Sequence, residues 1–425
     1  MKNFLLFSSL LFVSVALGQD TYLHCGNIVD VNSGKILSEK TIVVSGKSIK
    51  AIQNGYQSGD GNALVIDLKD QTVLPGFIDM HVHIEGQSSP QSYIQRYTLN
   101  EADVALQSTV YAKNTLMAGF TTVRDLGGSG VNIALRKAIA KGSVVGPRIF
   151  TAGKAIGTTG GHADPTNGMK KSLMGNPGPK EGVVNSPEDG RKAVRQRYKD
   201  GADVIKITAT GGVLSVAKSG QNPQFTIDEI KAITDTANDY GMLTAAHAHG
   251  DEGMQRAVKG GIKTIEHGTL MSDETMDLMV QYNSFLVPTI TAGKQVTEKA
   301  KIKGYFPAVV AKKASEIGPK IQGMFQRAYK KGVPIAFGTD AGVFPHGENA
   351  REFVYMVEAG MPVMEAIKSA TVTNAQLLGM ENNLGQLKEG FLADIVAVDK
   401  NPKEDVETLR DVVFVMKEGK VYKSL

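Results

Sequence analysis

His81 and His83 stand two residues apart in Leu74-Pro75-Gly76-Phe77-Ile78-Asp79-Met80-His81-Val82-His83. If that run is a strand, alternation sends both imidazoles to one face, where two neutral ring nitrogens can hold one divalent cation. Lys206 lies in Asp203-Val204-Ile205-Lys206-Ile207-Thr208, and the same alternation turns it inward while Ile205 and Ile207 face outward. A poorly solvated ammonium has its pKa pushed down. The neutral amine can add carbon dioxide and become a carbamate, an anionic oxygen ligand able to bridge two metals. A strand lysine paired with a carboxylate is the plainer alternative. His247 in Thr244-Ala245-Ala246-His247-Ala248-His249-Gly250, His267 in Ile265-Glu266-His267-Gly268 and Asp340 in Phe337-Gly338-Thr339-Asp340-Ala341-Gly342 extend the set of nitrogen and oxygen donors. Singly, each histidine reads as a satisfied core residue and Asp340 as a turn cap.

The elements that must carry these residues make them a set. Between about residues 76 and 380 a strand, turn, helix rhythm repeats, with eight candidate strands: Phe77 to His83, Thr121 to Asp125, Arg148 to Thr151, Val204 to Thr208, Leu243 to His247, Thr264 to His267, Phe285 to Pro288, and Pro334 to Asp340. Helical segments lie between most of them. One runs Asp228 to Asp239, with Thr226 and Glu229 as a capping box and Gly241 as its stop. This pattern implies an α/β fold, a (β/α)8 TIM barrel, whose chemistry sits at the carboxyl ends of its strands. The donors fall at the ends of strands one, four, five, six and eight, so all converge on one rim. Both chain ends are instead rich in short β-branched runs, such as Thr41-Ile42-Val43-Val44 and Val412-Val413-Phe414-Val415. Residues 19–75 and 381–425 are therefore expected to build one composite β-sandwich domain.

The rest of the composition narrows the class. The 425 residues are 42% hydrophobic and 21% charged, enough for a large core and against a disordered polymer. A net charge of +4 is too weak and dispersed to imply a nucleic-acid partner. Cys25 is the single cysteine, so no internal disulfide can form. At the start, Lys2, the apolar run Phe4 to Val15 and Ala16-Leu17-Gly18 have the form of a signal peptide over residues 1–18. A membrane anchor is the alternative, although a span needs roughly 20 apolar residues. The expected location is periplasmic or secreted, with no membrane partner. A Gly-x-Ser-x-Gly elbow is lacking, which leaves serine hydrolysis without support, and Gly46-Lys47-Ser48 reads as a hairpin turn.

Taken together, the His-x-His, the strand-four lysine, the two further histidines and the aspartate resemble the amidohydrolase superfamily, from about residue 21 to 425. Leu74 to His83, Thr122-Val123-Arg124-Asp125, His247-Ala248-His249-Gly250 and Ile265 to Gly268 are similar to its imidazolonepropionase-like branch, which holds Xaa-Pro dipeptidases (prolidases) and ochratoxin-hydrolysing amidases. The resemblance implies that His81, His83 and Asp340 hold one metal, His247 and His267 a second, and carboxylated Lys206 bridges them. Zinc fits the nitrogen-rich set, and the ligand types leave manganese, cobalt or iron open. Asp340 is implied to take a proton from the attacking water and pass it to the leaving amine.

The implied activity is an exported binuclear metal-dependent amidohydrolase acting on dipeptides or N-acyl amino acids with a free carboxylate, as Xaa-Pro dipeptidases do. Alternatives are an amidase for aromatic N-acyl amino acids such as ochratoxin A, a hydrolase of cyclic amides such as imidazolones, or more remotely an inactive barrel that serves as a binding module. His162, in Gly160-Gly161-His162-Ala163-Asp164, and His249 are candidates for holding the substrate, with a solvent-facing loop position as the alternative for each. Arg124 can pair with a carboxylate bidentately, or equally form an internal salt bridge with Asp125 or another acid. His346 is a weaker candidate and His24 belongs to the β domain. The partner expected is a small-molecule substrate, with homo-oligomers frequent in such a family.

Overall fold

The computed structural model describes residues 19–61 and 63–424, so the leader expected over residues 1–18 lies outside it. The β-rich start forms β1 (Thr21–Asp30), β2 (Lys35–Ser45), β3 (Ser48–Asn54) and β4 (Leu64–Pro75). β2 and β3 form the expected hairpin across Gly46-Lys47, where Gly46 has φ +57°. The middle of the chain gives β5 (Phe77–Val82), β6 (Phe120–Asp125), β7 (Arg148–Thr151), β8 (Val204–Thr208), β9 (Leu243–Ala248), β10 (Thr264–His267) and β11 (Phe285–Val287). These make two parallel sheets, β5-β6-β7 and β8-β9-β10-β11, with a helix in each connection. The architecture is α/β.

The helix after β8 runs Ile227–Asp239, capped as expected: Thr226 Oγ1 accepts from Glu229 N and the Glu229 carboxylate accepts from Thr226 N at 2.8 Å. Its face carries Ile230 and Ile233 into the apolar core that also receives Ile205 and Ile207. Outward isoleucines thus find helices, as alternation requires.

The segment Pro334 to Asp340 corrects an expectation, because it is not a regular strand. Ala336 N donates to Leu286 O of β11 and Asp340 N to His81 O of β5, yet Thr339 N is taken by the Asp79 carboxylate instead of a strand carbonyl. Asp340 itself has φ +61°. A side-chain acceptor and a left-handed residue break the ladder that periodicity suggests.

β12 (Ile395–Val398), β13 (Val412–Lys417) and β14 (Lys420–Lys423) return the chain to its start: β12 pairs antiparallel with β4. Where two packed sheets are expected, the hydrogen-bonded order is that of one seven-stranded sheet, β14-β13-β12-β4-β1-β2-β3. Its apolar cluster draws Ile42 and Ile49 from one side and Phe414 and Met416 from the other. The sheet curls over itself: Ile49 N of the edge strand β3 donates to Phe391 O, four residues before β12. Beneath the parallel sheets, Phe77, Phe120, Phe337 and Phe353 are fully buried and pack ring to ring, with Phe337 and Phe353 centroids 4.3 Å apart.

Candidate metal centre

The carboxyl ends of β5, β8, β9 and β10 open into a cavity of about 640 Å³. His81, His83, Lys206, His247, His267 and Asp340 all line it, together with His162 and His249. Oδ1 of Asp340 lies 3.5 Å from His81 Nε2 and 3.4 Å from His83 Nε2. One donor atom each from His81, His267 and Asp340 falls within 4.8 Å of the others, and so does one each from His247, His249 and His267.

The imidazoles are held by their other nitrogens. His81 Nδ1 donates to Glu266 Oε2 at 2.9 Å and His83 Nδ1 to Gly127 O at 2.8 Å, so in both rings the Nε2 lone pair is left for the cavity. His247 Nε2 donates to Gly211 O at 3.1 Å, which frees Nδ1. His267 Nδ1 bonds Thr289 Oγ1 at 2.7 Å. Such outer partners fix the tautomer and orientation that a metal ligand needs. Burial holds His81, His247 and His267 well below the usual imidazole pKa, with the Lys206 ammonium acting in the same direction. Neutral imidazoles are the form that binds cations.

Lys206 is 4% exposed, and burial pushes its ammonium pKa down against the pull of Glu266 and Asp340. A neutral amine is therefore accessible at lower pH than for a surface lysine, the condition for carbamate formation. Burial pushes Asp340 in the opposite sense, upward. Asp340 Oδ1 is buried without any hydrogen-bond partner. An orphaned carboxylate oxygen facing neutral imidazole nitrogens is costly unless a cation completes it, so this donor set fits divalent metal.

The candidate substrate residues divide. His162 stacks on His247 with centroids 4.4 Å apart, and its Nδ1 is buried without a partner. The loop after β7 thus brings it into the cavity, not to solvent. His249 bonds Thr269 Oγ1 at 2.9 Å and joins the donor cluster as well as the cavity wall. Arg124 is corrected: it is fully buried, and it donates to Met80 O, Thr264 Oγ1 and Glu266 Oε1 at 2.6, 3.0 and 2.8 Å. It lies under the cavity floor, out of reach of a substrate carboxylate. His346 is buried against Tyr111 and bonds Gly86 O, and His24 bonds Gln57 O; neither lines the cavity.

Glu266 is the functional-site residue that sequence patterning misses. Strict alternation puts it on the face opposite His267. His267, however, has φ +71°, and the turned backbone lets both side chains reach the interior.

Fold and site together define a metal-dependent hydrolase architecture, and comparison with known proteins agrees. Residues 72–422 match the amidohydrolase family, and the chain belongs to it. It is 52% identical to a Xaa-Pro dipeptidase solved with methionine bound in its active site, covering 96% of this chain and all of that one, with a TM-score of 0.92. A prolidase complexed with N-methylphosphonate-L-proline is 32% identical with a TM-score of 0.87, again over 96% of this chain and all of that one. The ochratoxinase of Aspergillus niger is 31% identical over 92% of this chain and 83% of its own length.

Proposed function

We propose that this amide-bond hydrolase is an exported, binuclear enzyme that cleaves dipeptides or N-acyl amino acids with a free carboxylate, in the manner of a Xaa-Pro dipeptidase. The observation that carries the proposal is the gathering of six donor residues around one cavity, with the Asp340 Oδ1 orphaned among them. The likeness to the dipeptidase and prolidase structures supports the substrate class. The ochratoxinase likeness favours a second reading, an aromatic N-acyl amino acid as substrate.

In this reading the parallel strands form a closed (β/α)8 barrel over residues 76–380, with residues 19–75 and 381–425 as the composite β domain. Support for closure comes from Asp340 N bonding His81 O on one side and Ile156 N bonding Lys206 O between the two sheets. Export rests on the leader-like first 18 residues alone. Among the described residues, no helix is long and apolar enough to cross a membrane.

His81, His83 and Asp340 would hold one cation, His247 and His267 the other, and Lys206 as its carbamate would join them, with zinc the proposed metal. Divalent cations bound there supply Lewis-acid polarisation of the scissile carbonyl and a lowered water pKa. The chain's own residues do the rest. Asp340 takes the proton of the attacking water, and burial, which favours its protonated form, suits it to carry that proton to the departing nitrogen. An amide nitrogen leaves only when protonated, so this delivery decides turnover. His162, with Nδ1 unpartnered above His247, holds the substrate's polar end. Val213, Leu214, Val296 and Ile321 give the cavity an apolar wall for a side chain and exclude water around it.

The test is a screen of metal-loaded protein against a dipeptide library that includes Xaa-Pro peptides, N-acyl amino acids and ochratoxin A, with Asp340→Asn alongside. Wild-type turnover of one class is expected, nearly all of it lost in Asp340→Asn while metal is largely retained. Comparable turnover in the variant contradicts the proton-transfer role.

A further inference from the structure

Lys313 lies on the helix Ala308–Ile317 and is 5% exposed, yet it is not among the residues lining the cavity. Its Nζ lies 2.7 Å from Gly212 O, 2.7 Å from Ser215 O and 2.8 Å from Ala217 O. Three donors meet three carbonyls, which is the full capacity of an ammonium. Among the described residues no carboxylate forms a salt bridge with it, and burial pushes its pKa down to about 8. A buried cation held by carbonyl dipoles alone is an expensive arrangement for a surface helix, and the segment it grips indicates its use.

That segment, residues 211–220, follows β8 without helix or strand. Four contacts connect it to the site. Gly211 O accepts the Nε2 proton of His247. Gly212 packs on the His162 ring so closely that a Cβ there would overlap it. Val213 and Leu214 face the cavity. Leu214 O accepts the Tyr93 hydroxyl at 2.7 Å, a second tie on the segment.

We infer that Lys313 is a positioning residue for the hydrolase: it clamps loop 211–220 as the cavity's roof and so sets the substrate's seat between His162 and the side chains of Val213 and Leu214. The inference rests on the proposed amide hydrolysis only for its kinetic half. Loop order is measurable without turnover.

The test uses the full-length, metal-loaded protein and two readouts, hydrogen exchange over residues 208–222 and the KM and kcat of a Xaa-Pro dipeptide. Lys313→Met is expected to speed exchange in that loop about tenfold and leave β5 and β6 protected. KM is expected to rise about tenfold with kcat changed by less than about threefold, the split of lost substrate positioning. Lys313→Arg, which keeps a cationic donor, is expected to recover most of both. Unchanged loop exchange in Lys313→Met overturns the inference, and so does faster exchange with KM unmoved. If Lys313→Met does not fold, Tyr93→Phe loosens the same loop at its second tie. It is expected to raise both exchange and KM, and no change in either overturns the inference. If the wild type cleaves no amide while Lys313→Met still loosens the loop, the hydrolase proposal fails and the clamp stands.

Discussion

Glu266 Oε2 lies 2.9 Å from Nδ1 of His81, a residue 185 positions earlier in the chain. The carboxylate accepts the ring proton and thereby commits His81 Nε2 to the cavity, 3.5 Å from Asp340 Oδ1. Its other oxygen is held by Arg124 Nη2 at 2.8 Å. Arg124, Glu266 and His81 form a buried chain that orients the proposed metal ligand His81 from beneath.

Replacing Glu266 by Gln keeps its size and removes its charge. Metal affinity is expected to fall about 10- to 100-fold, the usual loss when a ligand's hydrogen-bond partner is altered. Competition against a chelator measures it, and an unchanged affinity would show that His81 needs no such support.

Arg124→Met distinguishes an internal strut from a substrate-binding arginine. Removing the cation leaves Glu266 buried and unpaired, at a cost of about 3–5 kcal/mol in urea unfolding. The KM for a carboxylate substrate should move little in the protein that remains folded. A raised KM at unchanged stability would restore the substrate role.

Arg124 also shows where the sequence is legible and where it is not. Most strand segments that carry donors follow from alternation and β-branched runs, because a strand between helices must be apolar outward. His81 and His247 stand next to last in β5 and β9, His83 just past β5, and Lys206 at the middle of β8, on the face alternation gives them. Alternation fixes a face but not a depth, so it could not say that Arg124 stops below the cavity floor. It fails outright at His267 and Asp340, whose left-handed φ of +71° and +61° turns the chain. Glu266 is hidden for that reason, and Pro334 to Asp340 is not a regular strand because Asp340 is left-handed and the Asp79 carboxylate takes Thr339 N. Lys313 lies in the lysine-rich stretch Lys294 to Lys331, whose pattern reads as solvated helix faces, because composition does not reveal which lysine finds carbonyls.

His162→Ala tests the residue that the loop after β7 delivers to the cavity. Its ring touches His247 but its Nδ1 is free. We expect KM for the peptide to rise about tenfold or more, the worth of one hydrogen bond near a charged group, with metal content unchanged. Equal KM values would return His162 to a packing role.

His346 predicts an acid limit on stability. Burial lowers its pKa from the ordinary 6.5 to about 4, against the opposing hydrogen bond to Gly86 O. A depressed pKa means that the unfolded chain binds the proton more readily. The stability its neutral form contributes is therefore complete above pH 6.5 and is lost as pH falls toward 4. The ceiling is on the order of 3 kcal/mol. In melting curves between pH 7 and 4, His346→Gln should show a shallower loss than wild type. Parallel losses would mean that His346 is not the titrating group.

The most direct test of the account is a titration of metal-stripped protein with zinc, following bound metal and dipeptide turnover together. Turnover is expected to climb with added zinc and level off at about two equivalents per chain, as the proposed two-cation site requires. Full turnover in the stripped protein, or metal binding that leaves turnover at zero, would contradict it.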